Sequence, residues 1–291
     1  MLPLESVPNV SEGRDPAVIE AVGAALAEHA DVLDVHSDAD HNRSVFTIVG
    51  DDDAIVEALA AGIACARERI DLRRHEGVHP RVGAADVVPV VPLRPEDMDR
   101  AKAAAHEVAR RVGESGLPVF LYGETGDGRG PAFYRRGGPE ELQRRVDVGE
   151  VAPAYGPARL DPAAGGVIVG ARRPLIAFNV DLANRDVESA KAIARVIRER
   201  DGGLPGVRAL GLDLPAAGHA QISMNIEDWE TTPPHVVVAA IEREAKARGV
   251  ELAAAELVGL LPAGALVAAG RRSLRLDGLD ASRVLELRLL Q

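Results

Sequence analysis

Cysteine occurs once, at Cys65, so the chain offers neither a disulfide framework nor a thiolate set for zinc. Aromatic residues make up only 3%, and the core must therefore be assembled from Ala, Val, Leu and Ile. Positive charge is in deficit: the formal net charge is −11, which argues against nucleic acid or an anionic membrane as partner of the whole surface. A locally basic cleft survives that exclusion. No apolar run reaches membrane-spanning length, and "MLPLESVPNV" lacks a basic segment followed by an apolar one, so neither a signal sequence nor an anchor is expected. The expectation is a soluble, cytoplasmic protein with 46% hydrophobic residues, long enough for one large domain or two small ones.

Periodicity supplies the elements. "RDPAVIEAVGAALAEHA" reads as a helix, with Asp15 placed to cap it and Pro16 at its first position. Residues 31–37 and 44–50 read as strands joined by the polar loop "DADHNR", and residues 53–70 as a second helix containing Cys65. Residues 85–93 read as a strand whose two prolines push it toward a sheet edge or an irregular end. A helix from Pro95 to Val112 and a strand at 118–124 follow, then "TGDGRGPAFYRRGGPE", which reads as a glycine-rich loop. The second half gives a strand at 173–182, a helix at 186–200, strands at 206–214 and 219–227, a helix at 233–249 and a strand at 250–259. If residues 4–7 are also a strand, each half has the order β-α-β-β-α-β, that of a ferredoxin-like unit. The expected fold is α+β, with two such subdomains, 1–172 and 173–291, facing each other across a cleft or tunnel.

Within "RRHEGVHPRVGAADVVPVVP", His75, Glu76 and His79 spell H-E-x-x-H, the zinc-protease pattern. That site needs a helix to stack both histidines on one face. Gly77 disfavours the helix, and Pro80 pushes its predecessor out of the helical region, so the zinc reading fails and no metal is expected. What is left is a long connection dense in Arg73, Arg74, His75, Glu76, His79, Arg81 and Asp86. It reads either as a solvated surface loop or as a functional one.

At this point a resemblance enters. "GVHPRVGAADVVPVVP" closely resembles a stretch of the glutamate formiminotransferases, and "VPNVSEGRD", "DHNRSVFTIVG", "PVFLYGE", "GPARLDPAAGGVIVGARRPLIAFNVDL", "AQISMNIEDW" and "ELVGLLPAGAL" are similar to further family segments in the same order. The resemblance implies transfer of the formimino group of N-formimino-L-glutamate to N5 of tetrahydrofolate, giving 5-formiminotetrahydrofolate and glutamate. It implies His79 as the catalytic acid–base, since one imidazole with a pKa of about 6.5 can take one proton and return another. Substrate contacts are expected from Arg43, Arg81, Asp38, Asp40 and Asp86, and Arg172 and Arg173 also lie in matching segments. The folate-contact segment maps onto Gly156, Pro157, Ala158, Arg159, Leu160, Asp161, Pro162, Ala163, Ala164 and Gly165, with a second contact at Val196, Ile197 and Arg198. Tetrahydrofolate is thus the expected co-substrate, and a homodimer follows by analogy. A cyclodeaminase domain, which follows in vertebrate members, is not expected within 291 residues.

Two departures stand out. His36 occupies the place of a family aspartate, and Leu160 and Ala164 stand where vertebrate members carry large aromatics. Formyl transfer between 5-formyltetrahydrofolate and glutamate uses the same groups, and a folate-binding paralogue without turnover is the alternative from another class.

Overall fold

The computed structural model describes residues 2–276, 278–284 and 287. The chain divides into two compact units, Met1–Arg173 and Pro174–Gln291. In the first, β1 (Leu4–Ser6) and β2 (Asn9–Val10) are two halves of one interrupted strand, followed by α1 (Pro16–Ala27), β3 (Asp31–Asp38), β4 (Arg43–Gly50), α2 (Asp52–Arg69) and β5 (Ala85–Pro92). β1 and β2 lie between β4 and β5, antiparallel to both, and β3 pairs the other edge of β4. The first strand therefore sits between the third and the fourth, which is the ferredoxin-like arrangement expected from the element order.

Local chemistry explains the boundaries. Asp15 accepts a hydrogen bond from the Ala17 N–H at 2.9 Å and Pro16 opens α1, while Asp51 caps α2 through the Ala54 N–H at 2.9 Å. The two helices pack closely because Gly62 carries no Cβ: one there would meet the Leu26 side chain at 2.5 Å. Phe46 and Ile48 of β4 are fully buried in the same aliphatic core as Leu4, Ile55 and Leu59.

The first unit then departs from the simple pattern in three ways. α3 (Met98–Glu114), β6 (Val119–Gly123), α4 (Pro131–Arg135), α5 (Gly138–Asp147) and β7 (Val167–Ala171) extend it, and β7 joins β5 and β6 in parallel. The segment expected to be a glycine-rich loop is thus partly helical. Its prolines supply helix starts, and Tyr134 and Leu142 bury a small core of their own with Phe120 and Ile168. Of the two settings expected for β5, a sheet edge or an irregular end, the edge is excluded: all eight of its residues are buried between β1/β2 and β7, while its pairing with β2 is irregular. Pro89 is tolerated there because Ser6 pairs with Val90 and Asn9 with Val87, so it faces the break between β1 and β2, where no ladder bond is required.

The second unit runs β8 (Ile176–Leu182), α6 (Val187–Ile197), β9 (Val207–Leu214), β10 (His219–Ile226), α7 (Pro234–Arg248), β11 (Leu252–Val258) and α8 (Ala263–Leu274). Its antiparallel order, β11-β8-β10-β9, is again ferredoxin-like. Trp229 packs on the core of this unit, its ring against Gly264. No helix among the described residues is long and apolar enough to cross a membrane.

Candidate active site

The loop between α2 and β5 carries His79 and is not helical at 75–79, as Gly77 and Pro80 led us to expect. It is held in shape by backbone ties instead. The Val78 N–H donates to the Asp40 carbonyl at 3.1 Å. Asn42, in the β3–β4 turn, has φ of 46° and joins three segments: its Nδ2 donates to the Glu76 carbonyl at 2.9 Å and its Oδ1 accepts from the Gly13 N–H at 2.9 Å. Asparagine is among the few residues that accept such a backbone without a large penalty. Gly77 must lack a side chain, because a Cβ would lie 2.4 Å from the His41 carbonyl oxygen.

Arg81 closes the loop. Its guanidinium donates to the carbonyls of His41 at 3.0 Å, Asn42 at 3.3 Å and His79 at 2.6 Å, and also contacts the His75 ring. These bonds fix the direction in which His79 projects. Burial lowers the Arg81 pKa to about 10, Asp86 opposing and Arg135 and Arg14 adding to the fall; it stays cationic at neutral pH.

His79 is half-buried and faces Arg43, whose Nη1 lies 3.3 Å from its Nε2. A guanidinium only donates, so Nε2 is the acceptor and the ring proton sits on Nδ1. The His41 ring stacks with that of His79, 5.9 Å between centroids and 21° between planes. Burial pushes the His79 pKa well below the usual imidazole value, and Arg43, Arg135, His41 and Arg81 push it further in the same direction. Arg43 itself is lowered to about 9, first by burial, then by Arg135 and Arg81, with Asp86 opposing; it too remains charged at pH 7. The result is a neutral imidazole in surroundings dominated by positive charge.

Asp86 anchors that charge. Its side chain is 3% exposed, and its carboxylate accepts from the Val82 N–H at 2.7 Å and from Arg135 Nε at 2.8 Å and Nη2 at 2.5 Å. Arg135 was not among the residues expected from sequence. It comes from α4, in the segment read as a loop; its only signal was the pair Arg135–Arg136 after a proline-led turn.

The remaining candidates are placed as follows. Asp38 pairs with Arg43 across β3 and β4 and accepts from the His41 N–H at 2.6 Å, while Asp40 lies in the adjoining turn, half-buried. His36 lies opposite Val45, on the same strand as Asp38. The 156–165 segment wraps under the His79 loop: the Gly166 N–H donates to the Val82 carbonyl at 3.0 Å, and the Ala84 N–H to the Ala164 carbonyl at 2.8 Å. Gly165, with φ of 72°, allows that approach, since a Cβ there would meet the Val82 carbonyl oxygen at 2.0 Å. Leu160, Ala164 and Gly165 are turned inward, and Asp161 is occupied by the Ala163 and Ala164 N–H groups and by Arg67; Gly156, Pro157, Ala158, Arg159 and Pro162 are exposed. In the other unit, Ile197 belongs to the core and Arg198 pairs with Asp201, while Val196 is 43% exposed.

Residues 3–172 match the N-terminal subdomain of the formiminotransferase domain, and residues 177–281 match the formiminotransferase domain. The chain belongs to the formiminotransferase family. Among curated relatives, a glutamate formimidoyltransferase of Streptococcus pyogenes serotype M1 is 38% identical, over 99% of this chain and 98% of the relative. One from Thermoplasma acidophilum is 39% identical over 98% and 97%. A formimidoyltransferase-cyclodeaminase of Gallus gallus is 38% identical over 91% of this chain and 51% of its own length. The formiminotransferase match at 3–172 takes in every element of the His79 site: the Gly13 turn, the β3–β4 turn, the loop itself and α4.

Proposed function

We propose that this chain transfers the formimino group of N-formimino-L-glutamate to N5 of tetrahydrofolate, with His79 as the acid–base and tetrahydrofolate as co-substrate. One observation carries the reading: the His79 ring lies 3.3 Å from the Arg43 guanidinium, and burial together with Arg43, Arg135 and Arg81 lowers its pKa, so that a base stands among cations suited to anionic substrates. Both substrates are anionic, and arginine forks suit carboxylates. N5 attacks the formimino carbon and passes its proton to His79; the carbon–nitrogen bond to glutamate then breaks as His79 returns the proton to the departing nitrogen. A depressed pKa serves both steps, because the ring is unprotonated before attack and gives up its proton readily afterwards.

Arg43 links binding to this cycle. At 3.3 Å its contact with Nε2 is long, and a substrate carboxylate competes for the same guanidinium. Drawing Arg43 onto the substrate exposes the lone pair that must accept the N5 proton. Asp86 acts by holding Arg135, and Arg81 by holding the loop. The exposed residues Gly156, Pro157, Ala158, Arg159 and Pro162 are the part of the folate segment open to a ligand. The reading retains the expectations of a cytoplasmic enzyme and a homodimer.

Anaerobic mixing of the pure protein with tetrahydrofolate and N-formimino-L-glutamate, followed by acid conversion to methenyltetrahydrofolate, reads transfer as absorbance. Absence of turnover would sink the reading. The acid limb of kcat/KM should lie below pH 6.5, because the base must be unprotonated and its pKa is depressed. Arg43→Gln removes the charge nearest the ring, so that limb should move upward while the rate falls. A limb that stays in place would separate Arg43 from the titration of His79.

A further inference from the structure

Three buried polar atoms lack a hydrogen-bond partner among the described residues around one strip of sheet: Asn9 Oδ1, Thr47 Oγ1 and Arg43 Nε. Asn9 is 5% exposed and Thr47 1%. The register puts them on one face. Asn9 pairs directly with Val45, and Arg43 and Thr47 lie two residues to either side of Val45 on β4. Side chains two apart on a strand share a face. Phe46 and Ile48 go the opposite way, into the helix-covered core. Asn9 is therefore a diagonal neighbour of both Arg43 and Thr47, about 7–8 Å from each between strand positions. The strip ends at Arg43, which touches His79.

Asn9 is also oriented. Its Nδ2 donates to the Val7 carbonyl at 2.7 Å, which leaves the buried Oδ1 as the atom without a donor among the described residues. A buried acceptor without a donor is unfavourable unless a water or a ligand supplies the hydrogen. Here the ligand is anionic at one end and carries a formimino group at the other. Arg43, Arg81 and Arg135 surround His79, and the buried carboxylate among them, Asp86, is already bonded to Arg135. Asn9 offers a neutral acceptor beside that cluster, suited to an N–H and unsuited to another lone pair. Arg43 Nε, a donor, and Thr47 Oγ1, a hydroxyl, suit carboxylate oxygens.

Resting on the formimidoyl-transfer reading above, we propose that Asn9 Oδ1 accepts a hydrogen bond from the terminal nitrogen of the formimino group. Asn9 thereby selects an amidine over the isosteric formamide on the same glutamate. A formyl oxygen in that place would set two lone pairs against each other. Sites built around a hydrogen bond reject analogues that lack it far better than apolar pockets reject a size change.

The test compares N-formimino-L-glutamate with N-formyl-L-glutamate as donors to tetrahydrofolate, for the wild type, N9L and N9D. The wild type should prefer the formimino donor. In N9L, kcat/KM for that donor should fall about 10–100-fold, while the formyl donor changes little, so that the preference closes. N9D keeps an acceptor oxygen and should keep the preference, which guards against a variant that merely misfolds. Equal losses on both donors in N9L, or an unchanged ratio, would overturn the proposal. Should the wild type turn over neither donor, the transfer reading falls and calorimetric binding of the same two compounds decides Asn9. A wild-type preference for the formimino compound that N9L abolishes supports it, and equal binding overturns it.

Discussion

Replacing His79 by alanine should lower kcat for formimino transfer by roughly 10²–10⁴-fold, the usual worth of a positioned acid–base. Affinity for tetrahydrofolate should change far less, because the loop that carries His79 is held by backbone bonds. Those bonds run from Arg81 to the His41, Asn42 and His79 carbonyls and from Asn42 to the Glu76 carbonyl, and none of them uses the imidazole. The variant should therefore fold, and its defect should be chemical. Imidazole added to the H79A protein should restore part of the rate, with an acid limb close to that of free imidazole, since the added base is not depressed by burial. A rate that survives the substitution would remove His79 from the chemistry while leaving the family assignment intact.

Much of this site was legible before any coordinates, and the reasons are local. Gly77 and Pro80 disfavour a helix by local sterics alone, and residues 75–79 are indeed non-helical. The ferredoxin-like order followed from periodicities of two and of 3.6, which survive in both units. What sequence could not supply were contacts across long separations. Arg135 reaches Asp86 from forty-nine positions away, on a helix too short and too glycine-flanked to show periodicity. Arg81 looked like a carboxylate ligand because its residue type is; only the coordinates reveal that three backbone carbonyls occupy its donors. Pro89 suggested an edge strand for a sound local reason, and was misleading because a second irregularity, the break between β1 and β2, compensates it.

Asp86→Ala should destabilise the first unit by about 3–5 kcal/mol, because it strands buried partners rather than deleting a surface pair. The Arg135 side chain is only 12% exposed and would be left without a counterion, close to Arg43 and Arg81. The Val82 N–H would lose its acceptor as well, at the point where the loop enters β5. Asp86→Asn should cost less, since an amide oxygen can still accept from Val82 while the charge is lost. Urea unfolding of the whole chain, followed by a probe within residues 2–173, checks the order wild type, D86N, D86A; the two units need not unfold together, so a single transition should not be assumed. Activity should fall in the same order, for a distinct reason. Asp86 is the charge that opposes the depression of Arg43, and without it the recess around His79 becomes more positive, less stable as a fold and more dependent on a bound anion. N-formimino-L-glutamate should then raise the unfolding midpoint of D86A by more than that of the wild type. An equal shift in both would confine Asp86 to packing and leave the anion-binding charge to the arginines alone.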